Sequence, residues 1–329
     1  LGSLLDQVHP DIVFDCAIPE AHVDVTLEAL AHGCHVLGEK PLADSMESRY
    51  SQQNIELIDL NRRRTARHAL RFAKMQATGN DYICFDCRDQ QIDNPAGLAI
   101  RLASRHYGIG GEGVVLLYPS TVADFKMVMY NLDGTPGGSA GNATRLLAKY
   151  AYERGVISKL EATVETDFGI RQVWLSTQNG MVHRAAIDMG QVKLAPADVP
   201  VMLPGERIVD HPVNIGRGYN ITCINVGNPH AVAFVDALDI MDLETEGRAF
   251  EEADIFPQRV NAEFVQVLDE TTLRMRVWER GNGETWACGT GACAAVVAAV
   301  LNGICAIDTD ITVKLLGGEM RVRYCTDGT

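Results

Sequence analysis

Gly283-Glu284-Thr285-Trp286-Ala287-Cys288-Gly289-Thr290-Gly291-Ala292-Cys293 runs without interruption into AAVVAAVL, residues 294–301. The stretch reads as a loop that ends in a thiol and is followed by a helix. Gly289 and Gly291 let the backbone turn tightly and approach a ligand closely, and the Ala-rich run behind them has high helix propensity and buries easily. The first amides of a helix lack partners within it, so they point at whatever sits beside Cys288. Those donors and the helix dipole stabilise a thiolate, which predicts a lowered pKa for Cys288 and a role as base or nucleophile. A small cysteine buried in an Ala-rich core helix is the structural alternative.

A second glycine-containing loop meets a helix start at Ala140-Gly141-Asn142. It lies in MVMYNLDGTPGGSAGNATRLLAKYAYERG (127–155), where a strand ends at Tyr130 and a helix begins near Asn142 and stops before Gly155. Two helix starts with open amides make a clamp for a carboxylate. Strands flank both. Residues Phe72 to Asp86 read as strand, Gly79-Asn80 turn and strand. RHYGIGGEGVVLLYPS (105–120) sets glycines before an apolar run, and ITCINVGNPHAVAFVD (221–236) brings Asn228 and His230 to a Gly-Asn-Pro turn. Residues 256–291 open with the apolar and polar alternation of half-buried strands and reach Glu279 and Arg280 a loop away from Cys288. Arg280 suits a carboxylate, which it can hold through two parallel hydrogen bonds. The pattern predicts an internally duplicated α/β protein with two lobes and a cleft between them.

Composition narrows the partner. At 329 residues, 47% of them apolar, the chain is long enough for two or three domains with a substantial core. A net charge of −14 argues against a broad nucleic-acid surface, which needs clustered Lys and Arg, and favours a small-molecule partner. Nine cysteines without short-domain spacing predict reduced thiols and a cytoplasmic protein. Cys84 and Cys87 form a lone CxxC in a strand-like run, with no second pair to complete a metal site, so no metal is expected. No segment has the roughly 20 apolar residues of a membrane span. The chain opens on Leu1, so its true N-terminus is expected to lie upstream.

Residues 1–69 read differently from the rest. DIVFDCA (11–17), the amphipathic AHVDVTLEALAHG (21–33) and CHVLGEKPLA (34–43) make a strand-helix-strand unit. This wording resembles part of the nucleotide-binding domain of the glucose-fructose oxidoreductase and inositol dehydrogenase family, in which the lysine equivalent to Lys40 lies near the nicotinamide. The G-x-G-x-x-G turn that seats a pyrophosphate is absent, so the segment is expected to be a fused remnant, with NAD binding as a rival reading. Residues 47–69, with Arg62-Arg63-Arg64, read as a solvated helix or linker, and the composition changes near Leu70.

From there on KMQATGNDYI (74–83), RHYGIGGEG (105–113), NLDGTPGGSAGNATR (131–145), VGNPHAVAFVD (226–236), FPQRVNAEFVQV (256–267) and VWERGNGETWACGTGACAAVV (277–297) look like the successive motifs of the diaminopimelate epimerase family. The resemblance implies an α+β fold of two pseudo-symmetric lobes, 70–186 and 187–329, each a mixed, mostly antiparallel sheet wrapped around a central helix. It implies an amino-acid isomerase of lysine biosynthesis, independent of pyridoxal phosphate or any other cofactor, and a homodimer. By motif position, Asn80, Asn131, Asn228, Asn261 and Arg280 match residues that hold the distal end of diaminopimelate. Gly141, Asn142, Gly289 and Thr290 match the helix starts that bind the reacting carboxylate, Glu279 matches a contact to the reacting amino group, and His230 matches a histidine flanking the site.

The family inverts an α-carbon with two cysteines, one thiolate and one thiol on opposite faces. Cys288 occupies one position, but the other is Ala140, and Ser139, Ala143 and Thr144 also depart from the family pattern. Loss of a positioned acid or base costs about 10²- to 10⁴-fold. The departures predict impaired epimerisation, a one-base isomerase or lyase, or a paralogue that only binds amino acids. The family chain also continues past the equivalent of Asp327-Gly328 with a strand that returns to the first lobe, so a truncated end and an unpaired sheet edge are expected here.

Overall fold

The chain divides between Arg71 and Phe72. The computed structural model describes residues 12–15, 25, 28–29, 31–32, 35–38, 70–137 and 141–329. Lys40, the Arg62-Arg63-Arg64 cluster, Ser139 and Ala140 lie outside the described residues. In the first unit β1 (Ile12–Asp15) and β2 (His35–Gly38) pair in parallel, with Ile12 opposite His35 and helical backbone at 25, 28–29 and 31 between them. Parallel neighbours require such a crossover.

The second unit is built twice from one plan. Its first lobe contains β3 (Phe72–Ala77), β4 (Asn80–Asp86), α1 (Pro95–Ala103), β5 (Gly113–Tyr118), β6 (Phe125–Asn131), α2 (Gly141–Glu153), β7 (Glu161–Thr166), β8 (Gly169–Gln178) and β9 (Met181–Ile187). The seven strands lie in chain order, with β4/β5 and β6/β7 parallel and the other pairs antiparallel. The second lobe contains β10 (His211–Val213), β11 (Tyr219–Asn225), β12 (Pro229–Phe234), α3 (Leu243–Glu251), β13 (Asn261–Asp269), β14 (Thr272–Glu279), β15 (Gly283–Thr285), α4 (Gly289–Leu301), β16 (Ile311–Leu315) and β17 (Gly318–Val322). Here β12/β13 and β14/β16 are the parallel pairs. Each lobe therefore runs strand, outer helix, parallel strand, antiparallel strand, central helix, parallel strand, hairpin.

Why β5 lacks a polar face follows from this layering. On β5, Val115 and Leu117 pack toward α2, while Val114 and Leu116 pack toward α1. A strand covered on both faces reads as a continuous apolar run, and GVVLLY is one. The central helices differ in kind. α2 buries Ala143, Leu146, Leu147, Ala148 and Ala151 against its sheet and keeps Arg145 and Lys149 at the edge of that core. α4 is apolar all round, and its Ala292, Ala294, Ala295, Ala298 and Ala299 are almost completely buried. Small side chains let the surrounding strands approach closely, and a helix without a polar face belongs inside. Under α3, Tyr219, Phe250 and Phe264 meet edge to face with centroids 5.3–5.5 Å apart. Edge-to-face pairs of this kind contribute about 0.5–1.5 kcal/mol beyond their buried area.

The lobes touch where the chemistry is expected. Thr78 and Gly79 both have positive φ, 55° and 81°, and form the two-residue turn between β3 and β4. This turn lies against Trp286 and Gly317 of the second lobe. Among the described residues no helix is long and apolar enough to cross a membrane.

Candidate active site

Cys288 is the N-cap of α4, in extended backbone with φ −124° and ψ 113°. The Gly291 amide donates to its Sγ at 3.3 Å, and the Thr290 hydroxyl lies 3.3 Å from the same sulfur. The opening motif thus forms the helix start it predicts, but not the lowered pKa. Burial, with the carboxylates of Glu279 and Glu263, pushes the Cys288 thiol well above its ordinary value, against the pull of Thr290 and the Gly291 amide. Two donors at a helix start are weaker than removal from water beside two negative charges.

Glu279 ends β14 and Gly283 opens β15, so the hairpin turn 280–282 holds Arg280 at the rim. The Thr285 hydroxyl donates to Glu279. Burial raises the Glu279 carboxyl to about 6, with the Thr285 hydrogen bond and His230 pulling the other way. A carboxyl poised there can take up or release a proton near neutrality. Asn261, which opens β13 and is buried, accepts the Arg280 amide on Oδ1 at 2.9 Å. The Arg280 guanidinium donates to the Gln258 carbonyl at 3.0 Å.

Beside Asn261 in the parallel register stands His230, which is fully buried. Its Nε2 is 2.8 Å from Asn228 Oδ1 and its Nδ1 is 2.7 Å from Glu263 Oε1. Both ring nitrogens are therefore committed within the protein. Glu263, also fully buried, does not figure in the sequence reading. Its signal was present as the single charged residue in the apolar part of a strand, since buried carboxylates are rarely left without a task or a partner.

The other helix start reaches the same place. Asn142, buried in the first turn of α2, presents Oδ1 3.4 Å from where a Cβ on Gly289 would stand. The same oxygen accepts from Arg145, so this amide joins the two helix starts. Gly141 lies beside Met189, whose sulfur would be 3.1 Å from an added Cβ. Asn80 follows the Thr78-Gly79 turn against Trp286. Asn131 is occupied in its own loop, where its Nδ2 donates to Thr135 Oγ1 at 3.0 Å. Tyr82, missed by the sequence reading, is buried on β4, and burial together with the charges of Glu279, Glu112 and Cys288 pushes its phenol well above its ordinary value.

A cavity of about 960 Å³ reaches Gly141, Asn142 and Gly289 but is not lined by Cys288. Its walls include β3 at Gln76 and Ala77, β9 from 182 to 187, and Arg145, Arg184 and Arg321. The described residues contain no cluster of His, Cys, Asp and Glu suited to a metal ion.

Comparison with known proteins gives the family. The sequence model of a family described as diaminopimelate epimerase matches residues 72–195 and 222–329. A second, described as an oxidoreductase family with an NAD-binding Rossmann fold, matches residues 1–63. A diaminopimelate epimerase of Acetivibrio thermocellus is 47% identical over 256 residues, covering 78% of this chain and 91% of the relative. One of Desulfovibrio desulfuricans is 45% identical over 263 residues, covering 78% and 91%. Among solved structures, a probable proline racemase from Agrobacterium radiobacter K84 superposes with a TM-score of 0.57 at 14% identity, covering 78% of this chain and 85% of that one. A hydroxyproline epimerase from Agrobacterium vitis gives 0.56 at 14%, covering 77% and 83%. At that identity the two structures speak for the fold.

Proposed function

Because the chain belongs to the diaminopimelate epimerase family, we propose that its site moves the α-proton of diaminopimelate through Cys288, with inversion impaired by Ala140. The class of the protein is an isomerase. The observation that carries the finer reading is Cys288, buried at the N-cap of α4 within reach of the Glu279 charge. The α-hydrogen of an amino acid is a very weak acid. Its removal needs a dry site and fixed donors where charge develops on the carboxylate. The amides at Gly141, Asn142, Gly289 and Thr290 are the donors in this proposal. Glu279 receives the α-amino group, and Asn80, Asn228, Asn261 and Arg280 face the distal end, with Asn131 joining them once released from Thr135.

Proton bookkeeping then exposes what Ala140 removes. Cys288 as thiolate takes the α-hydrogen and becomes a thiol, leaving a carbanion delocalised into the carboxylate. Inversion requires a proton from the opposite face, and a methyl group has none to give. Return from Cys288 itself restores the starting stereochemistry. The proposal therefore predicts exchange of the α-hydrogen with solvent that outruns inversion. A second reading, favoured by the same Ala140, is a paralogue that binds an amino acid and transfers no proton.

Incubation of each diaminopimelate stereoisomer in D₂O, with deuterium at the α-carbon and stereochemistry followed together, separates them. Exchange faster than inversion supports the one-thiol site. Inversion at the rate of exchange removes the claim about Ala140, and binding without exchange favours the second reading.

A further inference from the structure

We infer that Glu263 is a positioning residue of this site: its carboxylate, clamped by His230, faces the Cys288 thiol across Gly291 and governs when that thiol can give up its proton. This rests on the reading of Cys288 as the proton carrier. The geometry is compact. The point where a Cβ on Gly291 would stand is 2.7 Å from Glu263 Oε1, 3.2 Å from Cys288 Cβ and 3.3 Å from Cys288 Sγ. Carboxylate and thiol thus both border the space that a side chain at 291 would need, and adding one would displace them. That explains why the third residue of α4 is a glycine despite its poor helix propensity.

Glu263 is held from one direction only. His230 Nδ1 engages Oε1 at 2.7 Å, and Oε2 is buried with no hydrogen-bond partner among the described residues. Asn228 fixes the far side of the imidazole at 2.8 Å. A buried acceptor left unmatched is costly, and such a group calls for an explanation beyond packing. Here the unmatched oxygen belongs to the carboxyl group that borders Gly291 beside the thiol. The charged and titratable groups facing Cys288 are Glu279 from β14, Glu263 from β13 with His230 behind it from β12, and Tyr82 from β4. His230, with both nitrogens engaged, acts through Glu263 rather than on substrate.

The test is the pH dependence of Cys288 alkylation by iodoacetamide, with the modified peptide identified by mass spectrometry, in the wild type, Glu263→Gln and Glu263→Asp. Removing one negative charge at this range moves the midpoint down by about one pH unit or more, so below it Glu263→Gln reacts about tenfold faster. Glu263→Asp retains the wild-type midpoint. A Glu263→Gln midpoint equal to the wild type overturns the inference, even where the variant melts earlier. Should that variant not fold, carboxyl-carbon NMR of the wild type and Cys288→Ser decides instead. A step in the Glu263 resonance at the Cys288 midpoint, lost in Cys288→Ser, supports the coupling, and a resonance indifferent to that substitution refutes it. Neither readout uses turnover. An inactive protein with the coupling keeps this inference and sinks the proposed activity, and an active one without it does the reverse.

Discussion

Trp286 lies over the α-carbon of Gly79, so that a Cβ at position 79 would stand 3.1 Å from Cε3 of the indole and 3.2 Å from the Cα of Gly317. The contact joins the β3/β4 turn of one lobe to the connection that delivers Cys288 in the other. Gly79 also has φ +81°, where an L side chain is strained. Gly79→Ala is expected to lose about 1–2 kcal/mol from strain alone, and more from the lost approach to Trp286. Gly169→Ala is the control, because Gly169 shares a positive φ of 97° but has nothing within 4 Å of an added Cβ. Urea denaturation of both variants checks this. Equal losses would mean that the indole contact adds nothing.

Glu279 makes the site's stability depend on pH in a defined direction. Burial raises its carboxyl from 4.5 to about 6, so the folded protein holds this proton more tightly than the unfolded chain does. That contribution is complete below the unfolded value and is lost as pH rises through the folded one. The wild type should therefore lose about 2 kcal/mol relative to Glu279→Gln between roughly pH 4 and 7, and nothing more above that. Paired denaturation curves across the range measure the difference. A difference independent of pH, or one growing toward acid, contradicts the burial argument.

Much of this was legible in the sequence because it depends on near neighbours. Glycine turns, apolar runs covered on both faces and the loop-to-helix junctions at Gly141 and Cys288 are written within a few residues, and the lobes repeat them. What stayed hidden comes from residues far apart in the chain. The amide of Gly291 can be read beside Cys288, but the burial of the thiol, and with it the charge of Glu263 from another strand, comes from distant parts of the chain. Burial with the Glu279 and Glu263 charges reverses the expected shift. His230 reads as a candidate at the substrate, yet Asn228 and Glu263 occupy both its nitrogens. Asn142 similarly has its amide oxygen taken by Arg145.

Glu251 supports the turn that carries Arg280. Its carboxylate receives Trp278 Nε1 at 2.7 Å, the Gly281 amide at 2.8 Å and Arg259 Nη1 at 3.0 Å. Burial alone would raise its pKa, but these three donors prevail and hold it below the ordinary carboxylate value. Its stabilisation is thus present above the unfolded value and is lost as pH falls through the folded one. Glu251→Gln presents an NH₂ to donors and is expected to cost about 2–4 kcal/mol at neutral pH. The penalty should shrink in acid as the wild-type carboxylate is protonated. Urea denaturation at neutral and acidic pH measures both, and a neutral-pH loss under about 0.5 kcal/mol would remove Glu251 from this role.

Ala140 offers the most direct gain-of-function experiment. If the helix start at Gly141 and Asn142 still binds a carboxylate opposite Gly289, a thiol at 140 supplies the missing donor on the far face of the α-carbon. Ala140→Cys should then raise inversion by about 10²- to 10⁴-fold while α-hydrogen exchange changes much less, because in the proposed mechanism exchange needs Cys288 alone. The informative quantity is the ratio of inversion to exchange in D₂O, since an improvement in folding or substrate affinity would raise both together. Adding Cys288→Ser to Ala140→Cys should abolish the gain, as a two-thiol inversion needs both members. A ratio unchanged by Ala140→Cys would show that Ser139, Ala143 and Thr144 have moved this helix start away from the substrate as well.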